Sequence, residues 1–161
     1  MLGNPISIML TPTKHWQLFA SKTNSQLKVV IPYLLIMALL PSISWFYGTT
    51  QVGWQIDDGS DVIRLTELSA LKIAIAMYGA LIFAVVTLGI FCHWMSRTFN
   101  SESTNLKGIS LVALTATPFF VFSLAGFYPS LEIDMVLGII AIVWWVFLLF
   151  TGLPVAINIP K

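Results

Sequence analysis

The sequence predicts an all-α polytopic membrane protein: four transmembrane helices behind a short amphipathic one. Three observations lead there. Of 161 residues, 57% are hydrophobic and 9% are charged, whereas soluble domains carry about 25% charged residues. The apolar residues gather into runs close to the roughly 20 residues that cross a bilayer. Short polar stretches between the runs hold most of the charge. The net charge of +1 brings no basic cluster that would take nucleic acid. Cys92 is the only cysteine, which excludes a disulfide framework or a paired-cysteine metal site.

Residues 1–28 read as an N-terminal segment. Met1 to Leu10 has no basic start and no long apolar stretch, so the first span is expected to act as its own uncleaved signal. Thr11-Pro12 suits a helix start, with Thr as N-cap and Pro at the first helical position. Over residues 12–22, Trp16, Phe19 and Ala20 share a face, which predicts an interfacial helix with that face on the membrane.

The transmembrane region, 29–161, divides into spans of about 29–47, 67–95, 108–128 and 133–153. The first has Pro32 in its opening turn, where proline is tolerated, and Pro41 deeper, where it should kink the helix. It ends in an aromatic belt, Trp45-Phe46-Tyr47. Asp57, Asp58 and Asp61 mark the aqueous part of the next loop; Gly59 at the third place and no closing Glu fit a calcium loop poorly. The second span is long enough to tilt or protrude. Its Ala76, Ala80 and Ala84 repeat every four residues, which predicts a close helix approach. Lys72, about one turn from its start, reads as a snorkelling cation. In the fourth span, Trp144-Trp145 sits mid-depth and is expected to pack on other helices, and Gly152-Leu153-Pro154 is expected to end the helix.

The third span holds the oddest stretch, Ala116 to Pro129, with Pro118, Gly126 and Pro129 in an uncharged apolar run. Pro118 deprives the Leu114 carbonyl of its donor, and lipid supplies no replacement. Thr115, Thr117 and Ser123 are candidates to satisfy the backbone there. The stretch should therefore face helices more than lipid. Thr115, Thr117, Pro118, Tyr128, Pro129, Gly152, Pro154 and Lys72 form the candidate set for structural, ligand or partner contact. No catalytic, cofactor or metal site is predicted.

Lys14, Lys22, Lys28, Arg97, Lys107 and Lys161 fall on one side of a four-span topology, with Arg64 and Lys72 on the other. That asymmetry predicts a cytoplasmic N-terminus.

Gly48-Thr-Thr-Gln-Val-Gly-Trp54, Ala116-Thr-Pro118, Tyr128-Pro129, and Gly152-Leu-Pro154 followed by Asn158-Ile-Pro-Lys161 appear in order along nearly the whole chain. Together they resemble the YIP (Ypt-interacting protein) domain family, in its bacterial inner-membrane, YohC-like branch. The resemblance implies a fifth span beyond Lys161 and a multi-pass bacterial inner-membrane protein. It also implies a role in membrane organisation through contacts with lipid and with another membrane protein or a second copy. The eukaryotic members' acidic-Tyr-Gly-Pro motif has only Tyr47-Gly48-Thr-Thr as a counterpart here, without the proline and after a span. A GTPase-linked function is therefore not carried over.

Three function classes follow. A non-catalytic binding or membrane-organising protein agrees with charge-free spans and a kinked, packed centre. A small-solute or ion transporter or channel could use proline-broken helices, though 29–47 and 108–129 hold no ionisable residue other than tyrosine. An enzyme lacks an evident constellation: His15 and His93 are the only histidines, and the acids gather at the other side.

Overall fold

Backbone in lipid closes its hydrogen bonds within helices, and the architecture follows that rule. The computed structural model describes residues 5–55, 61–98 and 103–157. The N-terminal segment forms α1 (Pro5–Leu10), α2 (Pro12–Ala20) and α3 (Asn24–Leu27). The first span comprises α4 (Val30–Met37), α5 (Leu39–Tyr47) and a π turn, Gly48–Val52. The second is one helix, α6 (Glu67–Thr98). The third is α7 (Asn105–Thr115), α8 (Thr117–Phe122) and a 3₁₀ turn, Ser123–Phe127. The fourth is α9 (Leu131–Ile157). Among the described residues, four helical runs, Asn24–Val52, Glu67–Thr98, Asn105–Phe127 and Leu131–Ala156, are long and apolar enough to cross a membrane.

The third span is the axis of the bundle: 61% of its most apolar window is buried, against 33%, 17% and 11% in spans one, two and four. Every residue from Ser110 to Phe120 except Phe119 is buried. It packs on both α6 and α9. The face that α6 turns inward consists mostly of small residues: Ala70, Ala74, Val85, Gly89, Cys92 and Ser96. Along α6, contact is tightest where it crosses α7. A Cβ on Gly108 would lie 2.2 Å from the Gly89 carbonyl oxygen, and one on Gly89 would lie 2.4 Å from Ile109 Cα. Ala76, Ala80 and Ala84, expected at a helix contact, are exposed instead. A four-residue spacing defines a stripe but not which side of the helix meets protein.

Three other expectations change. The first span breaks at Ala38, between α4 and α5, within the turn before Pro41 where the Met37 carbonyl loses its donor, as a proline kink requires; what changes is its end, since helical backbone runs on past Tyr47. Gly53 N–H donates to Gly48 O at 2.7 Å, and the Thr50 hydroxyl donates to Phe46 O at 2.8 Å, which together satisfy the wide last turn. The second correction concerns α9, which passes through Pro154 to Ile157. Carrying a helix through one proline frees a single carbonyl, while stopping it exposes several backbone groups. Third, the apolar face of α2 is covered by protein: Trp16 and Phe19 are buried, and α2 packs on α9. Of the mid-depth pair in α9, Trp145 packs against the core while Trp144 is exposed.

Candidate functional site

At Ala116 the third span changes direction. α7 stops at Thr115 and α8 starts at Thr117 with Pro118 in its first turn. Proline has no N–H to give the Leu114 carbonyl. The Thr117 hydroxyl donates to that carbonyl at 2.6 Å. A threonine hydroxyl has one proton, so the Tyr33 hydroxyl is the donor in its 2.6 Å contact with Thr117 Oγ1. Tyr33 thereby joins α4 to the break. Thr115 donates to Val112 O at 2.9 Å, and Ser123 donates to Phe120 O at 2.6 Å. Ser44, on α5, donates to Ser123 O at 2.7 Å. Thr115, Thr117 and Pro118 are fully buried.

The far end of the span closes on the first. Tyr47 and Phe127 meet edge-on with centroids 5.7 Å apart. Pro129 is buried, while Tyr128 is 71% exposed. At the opposite end, Gly152 lies under the Trp16 indole; a Cβ there would come within 2.8 Å of Cε2 and 3.0 Å of Leu111 Cδ1. Pro154 and Lys72 are exposed. Asp57 and Asp58, and Asn158 to Lys161, lie outside the described residues.

The candidate residues therefore do not converge on one pocket. Thr115, Thr117 and Pro118 form a dry node in the middle; Pro129 and Gly152 pack at opposite ends. The node's side-chain hydroxyls bond to backbone carbonyls or to each other, so it offers packing rather than a reacting group. Tyr33, Ser44 and Trp16 were not among the residues singled out for contact. Spacing places Trp16 on the apolar face of α2 but carries no signal for Tyr33 or Ser44, which act across elements far apart in sequence. Tyr33 was legible only as a lone hydroxyl in an otherwise apolar stretch of the first span.

No solved structure matches. The inner membrane protein YohC of Escherichia coli K12 is 31% identical over 129 residues, which cover 80% of this chain and 66% of that protein. YohC of Escherichia coli O6:H1 strain CFT073 matches to the same extent. The chain thus spans about two thirds of the length of the curated relatives it matches. The Yip1 domain model matches residues 6–161, and with four apolar spans, three of them packed around the broken third, the chain is an integral membrane protein of the Yip1 domain family.

Proposed function

We propose that this protein has a non-catalytic, membrane-organising role in the bacterial inner membrane, exerted through lateral contacts with lipid and with another membrane protein or a second copy. One observation carries the reading. The polar groups at the broken centre close on one another, while α6 and α9 turn large apolar side chains outward: Ile75, Phe83, Val143 and Phe150 are each at least 63% exposed. A transport path needs the reverse, with broken backbone facing a ligand. Proteoliposomes should show no flux of small solutes or ions above protein-free vesicles. A photocrosslinker at Phe83 or Val143 should capture lipid and a membrane-protein neighbour. Flux that is abolished by Pro118→Ala or Lys72→Ala would replace this reading with a transporter.

The N-terminus is proposed to be cytoplasmic, which puts the Asp134 end of α9 at the outer face. In a Cys92→Ala background, a membrane-impermeant maleimide should label Asp57→Cys from outside, and Ser103→Cys only after permeabilisation. The reverse pattern would invert the topology.

A further inference from the structure

Near the end of the bundle opposite α2 lies a cleft of about 320 Å³, walled by α5, α6, α8, the 3₁₀ turn and the first turns of α9. That volume is at the lower end of small-ligand pockets, roughly 300–1,000 Å³, which are mostly apolar with a few convergent polar groups. Phe119, Phe122 and Leu137 supply apolar wall, and Ser44, Ser123 and Asp134 supply the polar part. Asp134 is half-buried within a membrane-spanning helix. Ionisable groups in such helices are costly and tend to mark a ligand or a partner.

The hydrogen-bond bookkeeping gives the ligand's chemistry. Ser44 Oγ directs its proton to Ser123 O at 2.7 Å and Pro41 O at 3.2 Å. Ser123 Oγ directs its proton to Phe120 O at 2.6 Å. Both hydroxyls are left with lone pairs only. Asp134 is an acceptor when ionised, and its carboxyl bonds to the Ser130 backbone. Ser44 is fully buried and serves to fix the Ser123 carbonyl; the half-buried Ser123 and Asp134 present acceptors beside one negative charge. A primary ammonium, with three N–H donors and a positive charge, complements that set. A phosphate or an uncharged polyol brings acceptors or no charge. A quaternary ammonium has no N–H to give. The apolar wall beside the acceptors calls for a ligand that continues into hydrocarbon.

We propose that this cleft binds a lipid with a primary-amine headgroup, the ammonium held by Asp134 and Ser123 and an apolar part against Phe119, Phe122 and Leu137. The inference rests on the lipid-binding half of the proposed function and names its ligand class.

The test is native mass spectrometry of the purified protein titrated separately with dioleoyl phosphatidylethanolamine, phosphatidylglycerol and phosphatidylcholine. The wild type should retain phosphatidylethanolamine at least about tenfold better than either of the others, the scale of one charge-assisted hydrogen-bonded contact. Asp134→Asn should bring that ratio close to one. Glu132→Gln, in the same first turn of α9 and exposed, should leave it unchanged, which separates the cleft from a general effect of acid at a helix start. Gly138 lines the cleft, and a Cβ there meets nothing within 4 Å among the described residues. Gly138→Leu should therefore fold normally and lose the preferential retention. Excess free ethanolamine should not displace the lipid. Equal retention of the three lipids, an unchanged preference in Asp134→Asn, or displacement by free ethanolamine would each overturn the proposal. Flux or lipid turnover by the reconstituted protein would instead overturn the parent reading, whatever the lipid preference.

Discussion

The Thr117 side chain answers two needs at once: it donates to the Leu114 carbonyl and accepts from Tyr33. The two bonds should differ in weight. Losing the Tyr33 hydroxyl removes one contact between helices and leaves Thr117 bonded to Leu114. Such contacts inside membrane proteins average about 0.6 kcal/mol, so Tyr33→Phe should destabilise by about that much. Thr117→Val leaves both the Leu114 carbonyl and the Tyr33 hydroxyl without their partner, and should cost about 1–3 kcal/mol. Thr117→Ser keeps the hydroxyl and should stay close to wild type. Unfolding in mixed micelles under a denaturing-detergent titration orders the three variants. Equal losses for Tyr33→Phe and Thr117→Val would mean that the Leu114 carbonyl has another donor.

Among the elements, the crossing of α6 and α7 is close enough to perturb selectively through its glycines. Gly89→Ala places a methyl group against Ile109 backbone, and overpacking of that kind typically costs about 1–3 kcal/mol. Gly79, on the same helix, has nothing among the described residues within 4 Å of an added Cβ. Gly79→Ala should be neutral or gain up to about 1 kcal/mol in helix propensity. Thermal unfolding in detergent would show the contrast, and equal effects of both substitutions would refute the crossing as described. The same helix shows where sequence legibility ended. That four spans exist follows from run length and low charge, and the break at Ala116–Pro118 follows from proline without water. Which side of α6 meets protein does not follow. Lipid tails are as apolar as leucine, so an apolar stripe can face either, and the alanines at 76, 80 and 84 looked like an interface while being exposed. The usable signal was Gly89 with Ser96 and Cys92, small residues on the opposite side. For α2 the ambiguity ran the other way: an apolar face built to meet lipid and one built to meet α9 look alike in sequence.

Over the whole molecule, the contact between α2 and α9 joins the N-terminal segment to the last span. Trp16 makes an edge-on contact with Phe19, centroids 5.9 Å apart, and covers Gly152. Lys107 Nζ donates to Ala20 O at 3.2 Å, and Thr104 Oγ1 donates to Asn24 Oδ1 at 2.9 Å, tying the start of α7 to the same segment. The docking carries a flaw. Trp16 Nε1 is buried with no hydrogen-bond partner among the described residues, and a buried donor left unpaired costs about 1–3 kcal/mol. The α2 helix should therefore be held less firmly than its buried area suggests, and it should open before the central span does. Trp16→Phe keeps an aromatic ring over Gly152 and removes the unpaired donor, so α2 should stay docked. Trp16→Ala removes the ring, and amide exchange across residues 12–20 should accelerate at least about tenfold, which corresponds to 1.4 kcal/mol of lost docking. Exchange across Ser110 to Thr115 should not change in either variant. Loss of protection there in Trp16→Ala would show instead that α2 unfolds together with the bundle, as part of its core.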